Sequence, residues 1–393
     1  MRSGTHHAIR GTVLAVVALA STLLSAAPAA AAFSDVPTDD WASSAISYVA
    51  EHRNWMRDFG SSEFRPEARL QRRHLARAAV RAFASAEAAD PSITFTDLST
   101  DDAFFRFANV AVKLGWMSAP DGAFRPGGAV TKIDLDRALV GALGLTEEIA
   151  GLADIRTGDG YRFSHPEGFS VLTLAQALQL HHNHPGGSEA RELLPASRVR
   201  RADAAWALRR AHRVLVAESW RLSAASRYRD VVLPPMGEAR RAATEFALAH
   251  VGWPYVYGGE WGRKTPDGYC CGAQAKGGFD CSGFVWWVLK APGGGWDNTE
   301  FRPYQGWPLA QRSSSDMARA TRTRLRWRDT RPMDVMFFDP SGGTGWAGVS
   351  HAGLYLGNGW IIDSSNGADG VAISWASEGW YRDSFVWSRR VIR

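Results

Sequence analysis

Two segments of this chain repeat one another, and that self-similarity limits the first half more than any other feature. Phe33-Ser34-Asp35-Val36 recurs as Phe95-Thr96-Asp97-Leu98. Each copy continues through a polar turn and an apolar stretch of helical period. It then passes an aromatic-Arg-Pro element, Phe64-Arg65-Pro66 or Phe124-Arg125-Pro126, and a second amphipathic stretch that ends near Phe83 or Leu143. The period is about 60 residues, which marks a repeat architecture. A third, weaker copy starts at Ala153-Asp154-Ile155, lacks the aromatic-Arg-Pro element, carries an irregular insertion, and recovers its last helix from Val199 to Ala211.

The length of 393 residues agrees with this, since one ordinary core does not serve so long a chain and two or three domains are expected. Hydrophobic residues at 45% and charged residues at 22% are a globular balance, which argues against a long disordered or membrane-spanning protein. The net charge of +5, carried mostly by Arg, suits attraction to an anionic envelope better than a dedicated nucleic-acid site.

At the start, Arg2 and Arg10 precede an apolar run from Val13 to Leu24 and the small residues Ala27 to Ala32. This predicts a secretory signal peptide over 1–32, cleaved near Ala32, because the run is shorter than the roughly 20 residues of a bilayer span. Three cysteines provide no disulfide framework for such a compartment, and at least one thiol must be unpaired or intermolecular. His181, His182 and His184 beside Pro185-Gly186-Gly187 lack the carboxylate or cysteine partners of a metal tract, so a surface loop is expected there and no metal or cofactor is assigned. The pattern weakens over 215–237 and ends at Pro234-Pro235, predicting a connector before a domain at 238–393.

The chemistry lies in that last domain. Small and polar residues at Gly278-Phe279-Asp280-Cys281-Ser282-Gly283 lead directly into the apolar helical run Phe284 to Leu289, which places Cys281 at a helix N-terminus. The positive end of the helix favours thiolate over thiol, a nearby imidazolium favours it further, and amides of the same turn can bind an oxyanion. Asp334 to Phe338 predicts a buried strand. Val349 to Gly359 predicts a second strand ending in an Asn358-Gly359 turn, with His351 at its start. The hairpin returns through Trp360 to Asp363, so a carboxylate on the neighbouring strand can accept the imidazole N–H, with Ser364 and Asn366 as alternatives.

Together Pro254-Tyr255-Val256-Tyr257-Gly258-Gly259, Asp280-Cys281-Ser282-Gly283-Phe284 and Ser350-His351-Ala352-Gly353-Leu354-Tyr355-Leu356-Gly357-Asn358-Gly359 resemble the NlpC/P60 peptidase family over about 239–393. The resemblance implies an α+β papain-like fold, helices packed on an antiparallel sheet. It implies hydrolysis of an amide in peptidoglycan stem peptides, typically between D-γ-glutamyl and a diamino acid, through a thioester on Cys281. Catalytic roles fall on Cys281, His351 and Asp363, and substrate contacts on Tyr255, Asp280 and Ser282. Asp363 departs from the His, Asn, Gln or Glu more usual at the third position, and Cys270-Cys271 lies in an insertion whose role stays open.

The first half, 33–214, resembles three S-layer homology repeats at 33–94, 95–152 and 153–214, an all-α region that binds an anionic secondary wall polysaccharide. The family's Thr-Arg-Ala-Glu motif corresponds to Gln71-Arg72-Arg73-His74, Thr131-Lys132-Ile133-Asp134 and Arg200-Arg201-Ala202-Asp203. Polymer contact is thereby expected at Arg72, Lys132 and Arg201. The resemblances predict a secreted, wall-associated endopeptidase whose partners are stem peptides and a wall polymer. A wall-attached structural or muropeptide-binding protein, and an acyltransferase on the same cysteine, are the competing readings, and the loop 291–316 is the segment expected to cover the cleft.

Overall fold

The computed structural model describes residues 33–60, 62–184, 188–261, 274, 276–290, 307 and 309–393. The signal-peptide expectation, Cys270, Cys271 and most of 291–316 lie outside the described residues.

The repeat region is built from α1 (Ser43–Ile46, continued by a wider turn over Ser47–His52), α2 (Arg72–Phe83), α3 (Phe105–Lys113), α4 (Lys132–Ala142), α5 (Thr146–Ala153), α6 (Phe169–Ala177) and α7 (Arg201–Ala217). The second helices α2, α4 and α7 each follow a short extended segment, and the three segments close a ring. The amide of Leu70 donates to the carbonyl of Val199 (2.9 Å), that of Val199 to Val130 (2.9 Å), and that of Val130 to Leu70 (3.0 Å). All three side chains are fully buried. Each copy thus satisfies a backbone group of another, as expected where repeats share one core.

The recurring sequence signature has a local cause. Asp35 accepts the amides of Phe64 (2.9 Å) and Arg65 (2.7 Å), and Asp97 accepts those of Phe124 (2.8 Å) and Arg125 (2.7 Å). A carboxylate at the start of each copy therefore holds its aromatic-Arg-Pro element, in which Arg65 and Arg125 take positive φ values of 61° and 57°.

The expectation of an all-α first half needs one amendment, and so does the connector. A two-residue strand β1 (Arg156–Thr157) pairs in parallel with β2 (Val232–Leu233), and the segment before β2 contains helix α8 (Trp220–Ala225). Residues 215–237 pack back on the third copy instead of spanning open space.

The C-terminal domain begins with α9 (Glu238–Leu248), a short antiparallel pair β3 (Glu260–Trp261) and β4 (Gly278–Phe279), helix α10 (Cys281–Lys290) and helix α11 (Ser314–Arg319). The sheet follows: β5 (Val335–Phe338), β6 (His351–Gly357), β7 (Trp360–Ser365), β8 (Gly370–Trp375), then helix α12 (Gly379–Ser384) and β9 (Phe385–Arg389). All neighbours are antiparallel in the order β8-β7-β6-β5-β9. Helix α10 is apolar all round and packs on one face, with Phe284, Val285, Val288 and Leu289 at 0% exposure. Among the described residues no helix is long and apolar enough to cross a membrane.

The two halves share one hydrophobic core. The amide of Gly252 donates to Val371 on β8 and that of Val371 to Trp253, both at 2.9 Å, so the chain before Trp253 covers that edge strand. Gly252 has φ +86°, and a Cβ there would stand 2.8 Å from Leu172 of α6. The tight fit of α6 against the domain depends on that glycine.

The Asp97 clamp predicts that Asp97→Ala costs about 2 kcal/mol by leaving two amides unpaired. Asp35→Ala should cost a similar amount. Denaturant unfolding of both variants checks this, and loss at one site only would show that the two copies are not held alike.

Candidate active site

Three elements converge on one cleft. The first residue of α10 is Cys281, the first residue of β6 is His351, and Asp363 lies on β7 beside it. Burial of α10 sets the depth of the sulfur, and the β6–β7 hairpin sets the imidazole against the carboxylate. Nε2 of His351 and Oδ2 of Asp363 are 2.6 Å apart, which leaves Nδ1 for the thiol. Sγ of Cys281 lies 3.7 Å from the Ser350 carbonyl, on the residue preceding the histidine. Cys281 is the free cysteine among the described residues and is 8% exposed.

Burial by itself would lower the proton affinity of His351. Hydrogen bonding to Asp363 and Cys281, with the charges they carry, outweighs it and pushes the imidazole up to about 10. The ring is therefore imidazolium at neutral pH, and that charge faces both the thiol and the carboxylate.

Asp363 is 1% exposed, and its carboxylate needs more than one donor in such a place. The second donor is the hydroxyl of Tyr381, 3.1 Å from each oxygen. Tyr381 comes from α12, which carries the chain from β8 to β9 at the opposite edge of the sheet, and nothing in the local sequence marks it as a partner of Asp363. Ser364, an alternative orienter, instead donates to the carbonyl of Phe279 (2.7 Å), while Asn366 lines the cleft.

Tyr255 lines the cleft beside Cys281, and burial together with the nearby thiol raises its phenol above the ordinary range. Asp280 and Ser282 flank the nucleophile as expected, but their polar atoms are taken by a residue the sequence did not single out. Arg312, 4% exposed, donates to Asp280 (3.0 Å to each oxygen), Ser282 (2.9 Å) and the carbonyl of Gly259 (3.0 Å), and pairs with Glu260 at 2.5 Å. The guanidinium fork ties both sides of the nucleophile turn together. Asp280 also accepts the amide of Gly283 at 2.5 Å.

The remaining expectations are altered by burial. Arg201 is 1% exposed; it donates to the carbonyls of Phe64 (2.7 Å) and Met56 (3.1 Å) and to Asp58 (2.5 Å). Arg72 is partly buried and donates to the carbonyl of Phe124 at 2.8 Å. Each of these cations thus closes on the aromatic-Arg-Pro element of the adjacent copy. Lys132 faces the third copy, which has no such element; it is 1% exposed with Asp136 at 3.5 Å. Arg201 and Lys132 are structural cations, not surface groups offered to a polymer.

The histidine stretch is likewise not a surface loop. His181 meets Asp136 at 2.6 Å, His182 stacks on Trp41 at 4.8 Å between centroids, and His184 is 5% exposed. Among the described residues no cluster of His, Cys, Asp or Glu is arranged to hold a metal ion. Of the tryptophans, Trp286 and Trp287 are buried core, Trp346 is exposed at 39%, and Trp296 lies outside the described residues.

Residues 252–390 match the model of the NlpC/P60 family. Among curated proteins, one of Mycobacterium tuberculosis named as a probable endopeptidase is 30% identical over 129 residues, covering 33% of this chain and 24% of the relative. The gamma-DL-glutamyl hydrolase of Bacillus subtilis is 29% identical over 162 residues, 39% of this chain and 32% of the relative. The peptidoglycan endopeptidase RipB of Mycobacterium tuberculosis is 30% identical over 144 residues, 36% of this chain and 50% of the relative. The chain thus spans from 24% to 50% of the length of these relatives. The solved structure of RipB covers 40% of this chain and 69% of its own at 27% identity, with a TM-score of 0.29. The C-terminal part of this chain, residues 252–390, is an NlpC/P60 family domain.

Proposed function

We propose that the protein is a secreted, wall-associated cysteine endopeptidase that hydrolyses peptidoglycan stem peptides, at bonds between D-γ-glutamyl and a diamino acid, through a Cys281 thioester. The observation that carries this reading is the imidazolium of His351 held between the Cys281 thiol and the buried carboxylate of Asp363. Names of the relatives, which include peptidoglycan endopeptidases and a gamma-DL-glutamyl hydrolase, support the substrate class.

In this mechanism the thiolate of Cys281 adds to the scissile carbonyl carbon, and the developing oxyanion meets the first amides of α10. The amide of Gly283 is committed to Asp280, so those of Cys281 and Ser282 are the donors within reach. His351 gives its proton to the leaving amine as the C–N bond breaks, which yields the thioester. The neutral imidazole then takes a proton from water, the resulting hydroxide attacks the thioester, and the thiolate leaves. Asp363 keeps the ring oriented and stabilises its charged form, while Tyr381 fixes the carboxylate. Retention on a wall polymer through the three repeats belongs to the same reading. It is supported by the closed ring of copies and the excess of Arg, and it uses their exposed surfaces in place of Lys132 and Arg201.

Mature protein and Cys281→Ala are to be incubated with purified peptidoglycan and the released fragments analysed by mass spectrometry. Fragments cut after D-glutamate with the native protein alone are expected; the same products from both proteins would end the cysteine mechanism.

The charge pair also sets a pH dependence. Because the folded value of His351 is raised, the stability it contributes is complete below the ordinary imidazole value of about 6.5 and is lost as pH rises through about 10. NMR of the ring protons should show titration near about 10 in the native protein. In Asp363→Asn the midpoint should fall toward about 6.5. An unchanged midpoint would mean that Asp363 does not hold the imidazolium.

A further inference from the structure

The cleft that holds Cys281 is not built by the C-terminal domain alone. Its walls, enclosing about 570 Å³, include Gln176, Ala177 and Gln179 from the end of α6, which belongs to the repeat region. Gln176 is 1% exposed, yet neither its Oε1 nor its Nε2 has a hydrogen-bond partner among the described residues. A buried amide with both ends unpaired is costly, and native proteins keep such a group where something else completes it. The backbone is close on this side: Gly370 has φ +137°, and a Cβ there would run into the Trp253 carbonyl and stand 2.9 Å from Nε2 of Gln176.

Gln179, three residues on, is by contrast held by side-chain partners. It ends the helix at φ 57°, a conformation that costs a glutamine energy and persists only when its surroundings enforce it. Its Oε1 accepts from Arg221 at 2.8 Å and Arg210 at 3.4 Å, and its backbone carbonyl accepts from Arg210 at 3.1 Å. Both arginines are pinned in turn by Glu218, at 2.8 Å and 2.7 Å. With Oε1 occupied, Nε2 of Gln179 remains as the donor end and lies beside Gly367 on the rim of the cleft, 4.0 Å from where a Cβ of that glycine would be.

We propose that the repeat region supplies a specificity wall to the hydrolase cleft, in which Gln176 pairs with a carboxamide or peptide amide of the bound stem peptide and Gln179 donates to a carbonyl beside it. The inference rests on the peptide-hydrolase reading and adds the group recognised. An amide satisfies the donor and the acceptor of Gln176 together, whereas a carboxylate leaves Oε1 facing negative charge. The repeats therefore act in substrate choice, because α6 is fixed to the hydrolase domain by the Gly252 and Gly370 contacts.

The test uses the full chain and two synthetic stem peptides that differ only in a free carboxylate or a carboxamide on the D-glutamyl residue. Binding is measured by calorimetry in the Cys281→Ala background, so it is independent of turnover, and hydrolysis is measured with Cys281 intact. The carboxamide peptide should bind about tenfold more tightly. Gln176→Leu should abolish that preference while the melting temperature and the alkylation rate of Cys281 hold. Gln179→Asn, which keeps a residue tolerant of positive φ but withdraws the amide, should weaken both peptides alike. Equal affinity for the two peptides, a preference that survives Gln176→Leu, or no binding of either would overturn the proposal. A Gln176-dependent preference without cleavage by the Cys281 protein would instead overturn the peptidase reading and leave the wall in place.

Discussion

The arrangement of the cleft depends on the burial of α10 against the five-stranded sheet. The helix is apolar on every side from Phe284 to Leu289, so it can settle only where protein surrounds it, between the sheet, α9 and the β3–β4 pair. That depth places its first residue, Cys281, level with the first residue of β6. The polar requirements of the burial are met locally: the indole of Trp287 donates to His250 at 2.9 Å, and Arg312 ties the turn before the helix to Gly259 and Glu260. A nucleophile at the start of a helix fixed in this way has little freedom to drift from its base.

The second constraint is the seam between repeats and hydrolase. It contains a buried pair of acids, Glu192 from the third copy and Asp369 from the β7–β8 turn. Burial raises both, Glu192 to about 7, and the contact between them lowers Glu192 while raising Asp369 further. Lys132, Asp136 and Lys276 surround the pair. Two carboxyl groups in contact inside a protein resist ionising together, which agrees with the upward direction of both. The same seam carries α6, whose end faces the cleft, and the position of the wall is therefore coupled to how the halves are joined.

Much of the site was legible because its parts are local. A run of small and polar residues before an apolar stretch marks the helix start at Cys281. An Asn-Gly turn marks the hairpin that brings Asp363 beside His351, and the structure has both at the expected elements. Tyr381 and Arg312 were not legible: each reaches the site from an element far along the chain, and neither sits in a pattern that announces its partner. The basic residue at the start of each second helix was visible as a recurrence, but its role was not. A recurring cation looks the same whether it faces water or, like Arg201, satisfies the carbonyls of a neighbouring copy.

By itself, the sequence determined the repeats, the helix that begins with a cysteine, and the hairpin that carries a histidine and an aspartate. These follow from periodicity, turn chemistry and residue type over short spans. Only the tertiary structure decided that Lys132 and Arg201 are buried, that Tyr381 completes the carboxylate, and that Gln176 lines the cleft with its amide unpaired among the described residues. Those outcomes depend on which surfaces exclude water from one another, and burial is set by packing between distant segments and not by the residues adjacent in the chain.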